Sequence, residues 1–406
     1  MSRASRVGRL VAGAVAVAVL GYGCSDDGGG SDEAATTSTT AAYDASAKVA
    51  SPAVDLRAAM TTLMSEHVLL VGFASSHLVA GADPAPAVAA LEENTLALAE
   101  EFRELYGDET RQVFVDLWRR NVAALLEFAA GSAVADQARI DKGKADMKAA
   151  QDELATALNE VNIQLTTDAL TEQLEGYSTT VQQAVTSLAK KDAMAVEKLK
   201  QAADETASLA IVVVAAVVRD KGQELPGDVD ALSAALRTEL ATKLQDYTYL
   251  TGLAATAATT GADPGSVSGP QADTTLELAR TFGTIYGDEP QRDFLELWRA
   301  HLGYLDDFIQ GAMGGDRIRM DNARQDLDGF RRQLGELLNS VNPNLSAEDL
   351  TTDLGEHQES LLAAIEAHAA TDPAQVVKLR AAAGHVPGTA LFLATGIARQ
   401  FPTKFG

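Results

Sequence analysis

The 406-residue chain sets 57 acidic residues against 33 basic ones, for a formal net charge of −24. A balance that negative repels phosphate backbones, so nucleic acid is not an expected partner. Hydrophobic residues make up 46% of the chain and aromatic ones 5%; with abundant Ala and Leu, this supports buried cores and favours helices over β-sandwiches.

Arg3, Arg6 and Arg9 form a basic start, and the apolar run from Leu10 to Leu20 follows it. That run falls short of the roughly 20 apolar residues a spanning helix needs, so 1–23 is expected to be a signal peptide. Cys24 is the only cysteine and lies directly after Gly21-Tyr22-Gly23. The placement resembles a bacterial lipobox, with Gly21 where leucine is usual. It implies a lipid anchor on Cys24, at the extracytoplasmic face of the cell membrane. Ordinary secretion, or an uncleaved anchor, is the alternative. Residues 24–50 are rich in Gly, Ser, Thr, Ala and Asp; they bury too little to offset ordering entropy and are expected to form a flexible tether. Beyond the leader no membrane-length segment is expected, the most apolar run being Leu209 to Val218.

From residue 51 onward the sequence repeats itself at a constant offset of 180 residues without a gap. Gly81-Ala82-Asp83-Pro84 matches Gly261-Ala262-Asp263-Pro264, and Tyr106-Gly107-Asp108-Glu109 matches Tyr286-Gly287-Asp288-Glu289. Leu117-Trp118-Arg119 matches Leu297-Trp298-Arg299, and Val161-Asn162 matches Val341-Asn342. The period is far longer than a solenoid repeat, so it reads as a duplicated domain. The expected fold is all-α: two tandem copies, 51–225 and 231–406, of a roughly six-helix antiparallel bundle.

In the first copy the helices are expected near 52–79, 85–105, 108–130, 134–161, 166–190 and 193–221. Gly81 and Gly107 close helices, Thr166 and Asp192 open them, and Asn162 ends the fourth. No sustained period-two alternation suggests a strand. In the last helix of the second copy, His385-Val386-Pro387-Gly388 replaces Glu205-Thr206-Ala207-Ser208. Pro387 is expected to interrupt that helix and free a carbonyl.

Three stripes of helical spacing carry one polar side chain each among apolar neighbours. They supply His67, Asn121 and Tyr177 in the first copy, and Tyr247, His301 and His357 at the same positions of the second. Buried polar groups need partners, since an orphan costs roughly 1–3 kcal/mol. One reading is an internal hydrogen-bond network that fixes helix register. The other is a ligand or metal pocket, with His301 and His357 as imidazole ligands. Only the second copy sets two histidines on adjacent stripes, so any such site is expected to survive there. Asp141/Asp321 and Asp146/Asp326 are expected to serve helix-end electrostatics and pairs with Arg139/Arg319.

The ferritin-like Glu-x-x-His pair, the His-Glu-x-x-His motif, phosphate-binding glycine loops, the Gly-x-Ser-x-Gly elbow and EF-hand spacing are all missing from the sequence. No enzymatic activity is expected, and no cofactor beyond a metal ion at His301 and His357. The order of His67, Tyr-Gly-Asp-Glu, Leu-Trp-x-x-His301-Leu, Val-Asn-Pro343, Leu-x-x-His357 and Gly396 to Pro402 resembles a group of bacterial helical-bundle envelope proteins. The resemblance spans nearly all of each copy. That group has no established activity and carries histidine at all three polar positions; Asn121, Tyr177 and Tyr247 depart from it. Together these features predict a membrane-anchored lipoprotein that binds a protein or small-molecule partner. A metal- or cofactor-binding protein using the second-copy histidines, and a structural envelope spacer, are the alternatives.

Overall fold

Pro52 at the first helical position and Asp55 in the first turn favour a helix start, and the chain runs helical from there to Ala80. A computed structural model describes residues 48–263 and 265–405, which are helical throughout with no strand among them. The expected signal peptide, Cys24 and nearly all of the expected tether lie outside the described residues. Helices α1 (Pro52–Ala80), α2 (Ala85–Tyr106), α3 (Asp108–Ala133), α4 (Gln137–Val161), α5 (Thr167–Ala189) and α6 (Ala195–Lys221) make up the first half. The second half comprises α7 (Leu232–Thr260), α8 (Gly265–Tyr286), α9 (Asp288–Gly314), α10 (Arg317–Val341), α11 (Ala347–Ala369), α12 (Gln375–Ala383), α13 (Val386–Gln400) and α14 (Pro402–Phe405).

Most boundaries recur 180 residues apart because the punctuation does. The Thr166 and Ser346 side chains accept from Ala169 N and Asp349 N, and those of Asp136 and Asp316 from Arg139 N and Arg319 N. Gly107 precedes α3 as its cap, and Asp108 is the first helical residue. Asn162 and Asn342 end α4 and α10 and tie two of the repeated motifs together. Asn162 Nδ2 donates to Tyr106 Oη at 2.9 Å, and Asn342 Nδ2 to Tyr286 Oη at 3.0 Å. Arg139 and Arg319 pair across the turn with Glu127 and Asp307 rather than with the repeated aspartates; Asp146 instead pairs with Lys142.

The first helix of each half is buried almost all round and is not the one-sided stripe its spacing suggests. The reason is position: α1 and α7 pack on each other as well as on their own neighbours. The halves also meet crosswise, α6 against α8 and α12 against α2. Gly72 and Gly252 allow α6 and α12 to approach closely, since a Cβ at either would collide with Leu199 or Leu379 respectively.

The seam between the halves is polar at its centre. Glu66 on α1 accepts from Tyr249 Oη on α7, from Asn94 Nδ2 at 2.8 Å and from Arg380 Nε on α12 at 3.3 Å. At the equivalent positions, Asp246 on α7 faces Lys200 on α6 at 3.9 Å. Lys243 lies equally near Asp246, and Asp204 and Glu277 hold both ammonium groups. Burial, then the negative charge of Asp204, raises the carboxyl of the fully enclosed Asp246 above its ordinary range. The segment leading into α1 is held here too: Val49 is buried, and Arg237 donates to its carbonyl at 2.8 Å.

Three helical stretches, Pro52–Ala80, Ala195–Glu224 and Gln375–Gln400, are long and apolar enough to cross a membrane. This corrects the expectation that nothing beyond the leader reaches that length. Their apolar windows are 72%, 56% and 56% buried against other helices, which is what the central helices of a bundle require.

Candidate functional site

Each polar trio converges, and the two do so differently. In the first half, His67 Nε2 and Tyr177 Oη are 2.8 Å apart, and Asn121 Nδ2 donates to the same hydroxyl at 3.5 Å. The chain of contacts then continues through residues the stripes did not single out. Gln151 Nε2 donates to Asn121 Oδ1 at 2.9 Å, and Ser178 Oγ donates to Gln151 Oε1 at 2.8 Å. All five side chains are buried. Burial holds the His67 imidazole neutral, lowering it to about 4, and pushes the Tyr177 phenol up. The Tyr177 ring also stacks on Trp118, with centroids 6.1 Å apart.

In the second half, the hydrogen bond joins Tyr247 Oη to His301 Nε2 instead. The His301 ring lies flat on Phe330 at 4.0 Å between centroids, where the first half has the small Ala150. His357 takes no part in that pair. Its Nδ1 donates to the carbonyl of Ala382 at 3.1 Å. Ala382 lies just before the break between α12 and α13, and Pro387 sits in the first turn after it. The expected interruption is therefore where the sequence put it, and a carbonyl at the break orients His357. With Nδ1 as donor, Nε2 carries the lone pair.

Tyr247, His301 and His357 line one cavity of about 40 Å³, with Trp298 and Phe330 as aromatic walls and Val386 and Thr389 supplied by the broken helix. Where the cavity has His357 and Thr389, the first half has the bulkier Tyr177 and Leu209. Burial, then the charge of nearby His357, lowers the His301 imidazole to about 3, and burial lowers His357 as well. Both rings are thus neutral at physiological pH. Most other polar groups around the cavity are already engaged. Thr389 donates to Asp353, Gln358 to Asp328, and Arg331 pairs with Asp328 and donates to the Thr351 carbonyl. His301 Nδ1 and Trp298 Nε1 have no partner.

Among the described residues no group of three or more His, Cys, Asp or Glu side chains is arranged to hold a metal ion. The cavity offers two imidazoles and the Tyr247 phenol, with no carboxylate on its walls. Gln151, Ser178 and Phe330 were not singled out by the stripes; their only trace in the residues is a place on the inward face of each helix. No protein family, curated protein or solved structure matches this chain.

Proposed function

We propose that this protein is an extracytoplasmic lipoprotein, tethered through Cys24, that binds a small ligand in the cavity of its second half. On this reading each half is a duplicated six-helix module: the first is the closed, structural copy and the second the binding copy. The observation that carries the reading is the cavity beside His301 and His357, at positions where the first half is filled and internally bonded. Apolar pockets with a few convergent polar groups are the usual form of small-molecule sites. The basic and apolar leader, with its single cysteine at the boundary, supports the address.

A metal ion is the second reading. A ring N–H donated to a backbone carbonyl, as at His357, is the arrangement that orients metal-bound imidazoles.

The test is native mass spectrometry with metal analysis on the mature protein released from membranes. A bound species that disappears when His357→Tyr and Thr389→Leu give the cavity the first half's residues supports a binding role. An empty cavity that also ignores an added ligand panel replaces the reading with that of a structural spacer. Palmitate labelling lost in Cys24→Ala supports the anchor, and unlabelled protein in the medium supports secretion.

A further inference from the structure

The chemistry of the cavity narrows what it can hold, given that the second half binds a ligand at all. Its walls are apolar and aromatic. The only formally charged side chain lining it is Arg331, already paired with Asp328. A divalent cation would bring two charges into apolar surroundings beside an arginine, with no carboxylate to balance them. An anion would meet neutral imidazoles rather than a cation free to pair. What remains is a neutral group.

One acceptor sets its hydrogen-bonding character. His357 Nε2 carries a lone pair, because Nδ1 is committed to the Ala382 carbonyl. The Trp298 indole N–H is sealed in the packing without a partner, as is that of Trp118 in the first half, so it does not mark the cavity. A hydroxyl can donate to the imidazole; an ether oxygen can only accept. Size supplies the third constraint. At about 40 Å³ the cavity is well below the roughly 150 Å³ that takes up benzene, so it admits a hydroxyl and the first carbons of its chain. Half-buried Leu354 and His357 border it, leaving room for a tail to run outward.

We propose that the cavity is a recognition site for the hydroxyl head of a small neutral alcohol, which donates to His357 Nε2 within apolar walls. The first half lacks this site because the Tyr177 ring and Leu209 occupy the equivalent space and the Tyr177 hydroxyl is committed to His67.

The test compares two isomers, 1-butanol and diethyl ether, on the mature chain carrying Trp118→Phe, so that Trp298 is the sole indole. Indole emission and the nitrogen resonance of His357 Nε2 are followed together. Saturable binding of the alcohol, about tenfold tighter than the ether and with a shift at His357 Nε2, is the expected result; one buried hydrogen bond is worth about that factor. His357→Phe is expected to bring the alcohol down to the affinity of the ether. Equal affinity for the two isomers would overturn hydroxyl recognition and leave a binding cavity of purely apolar character. Stoichiometric binding of zinc or copper, lost in His301→Gln and in His357→Gln, would put the metal in the alcohol's place. Silence towards both isomers and both metals would sink the alcohol site together with the binding role on which it rests. The isomer comparison needs no cavity variant to fold.

Discussion

The trio of the first half and the trio of the second stand on equivalent helices, yet only the first has become a continuous chain of hydrogen bonds. In the first, five side chains hand hydrogen bonds from α1 through α5 and α3 to α4 and back to α5. In the second, Tyr247 and His301 pair off, and His357 turns to a carbonyl at a helix break. Neither solution satisfies every buried atom: one imidazole Nδ1 and the indole N–H stay without a partner in each half, at His67 and Trp118 and at His301 and Trp298. The difference lies in which side chains occupy the space: His for Tyr and Thr for Leu remove volume at two positions, while Phe330 in place of Ala150 adds it at a third.

The comparison can be broken most forcefully at Gln151. Gln151→Leu strands Asn121 Oδ1 and Ser178 Oγ and should cost about 2–4 kcal/mol in urea unfolding. Arg331→Leu, at the matching position, should cost less than about 1 kcal/mol, because Arg331 and its partner Asp328 are both only half-buried and solvent screens the pair. Similar losses at both sites would show that the first-half chain of hydrogen bonds carries no special weight.

Acid sharpens the contrast next. Both His67 and His301 have folded values below the unfolded 6.5, so their contribution is fully present above pH 6.5 and is lost as the unfolded chain takes up protons below it. The loss continues to about pH 4 for His67 and to about pH 3 for His301. Each should account for about 2 kcal/mol between pH 6.5 and 5. Melting His67→Gln and His301→Gln across this range should show a flatter pH profile than the parent; an unchanged profile would mean the imidazoles protonate in place.

Smaller still is the effect of Pro387→Ala, which should change stability by less than about 1 kcal/mol because proline is tolerated in a first helical turn. Its signature is spectroscopic. If the helix closes over the break, the Ala382 carbonyl, which accepts from His385 N at 3.3 Å, passes to the Val386 N–H, and His357 should show a mixture of tautomers in its nitrogen spectrum. Least of all, Arg120→Ala removes an exposed pair with Glu153 and should leave the urea midpoint unmoved.

Much of this was legible in the residues. The expected helices of the first half agree with α1–α6 to within three residues at each end, because glycine, threonine, asparagine and aspartate caps act locally and leave a mark in sequence. The trios were found for a similar reason, since a polar residue in an apolar stripe is conspicuous. The seam was not. Glu66 sits beside His67 in the sequence, but its partners Tyr249 and Arg380 come from the other half, and no period within one helix reports a contact between distant helices. The same blindness made α1 look one-sided when it is central. The cavity was legible only as one of two readings of the second trio: its size depends on the difference in volume between His357 and Tyr177, which only the assembled walls turn into space.

That seam has a consequence for how the chain could be divided. Glu66 and Asp246 stand at equivalent positions, as do Lys200 and Arg380. Each half therefore contributes one carboxylate and one cation, and the contact reads the same from either side. This is the arithmetic of an isologous contact, in which a surface is complementary to itself. A half set free would carry a surface matched to a second copy of itself and would tend to pair. Covalent linkage through 222–231 converts that search between molecules into a fold within one, at an effective concentration no solution of separate halves would reach. It also frees the two sides to change independently, so that one could keep its core closed while the other opened a space.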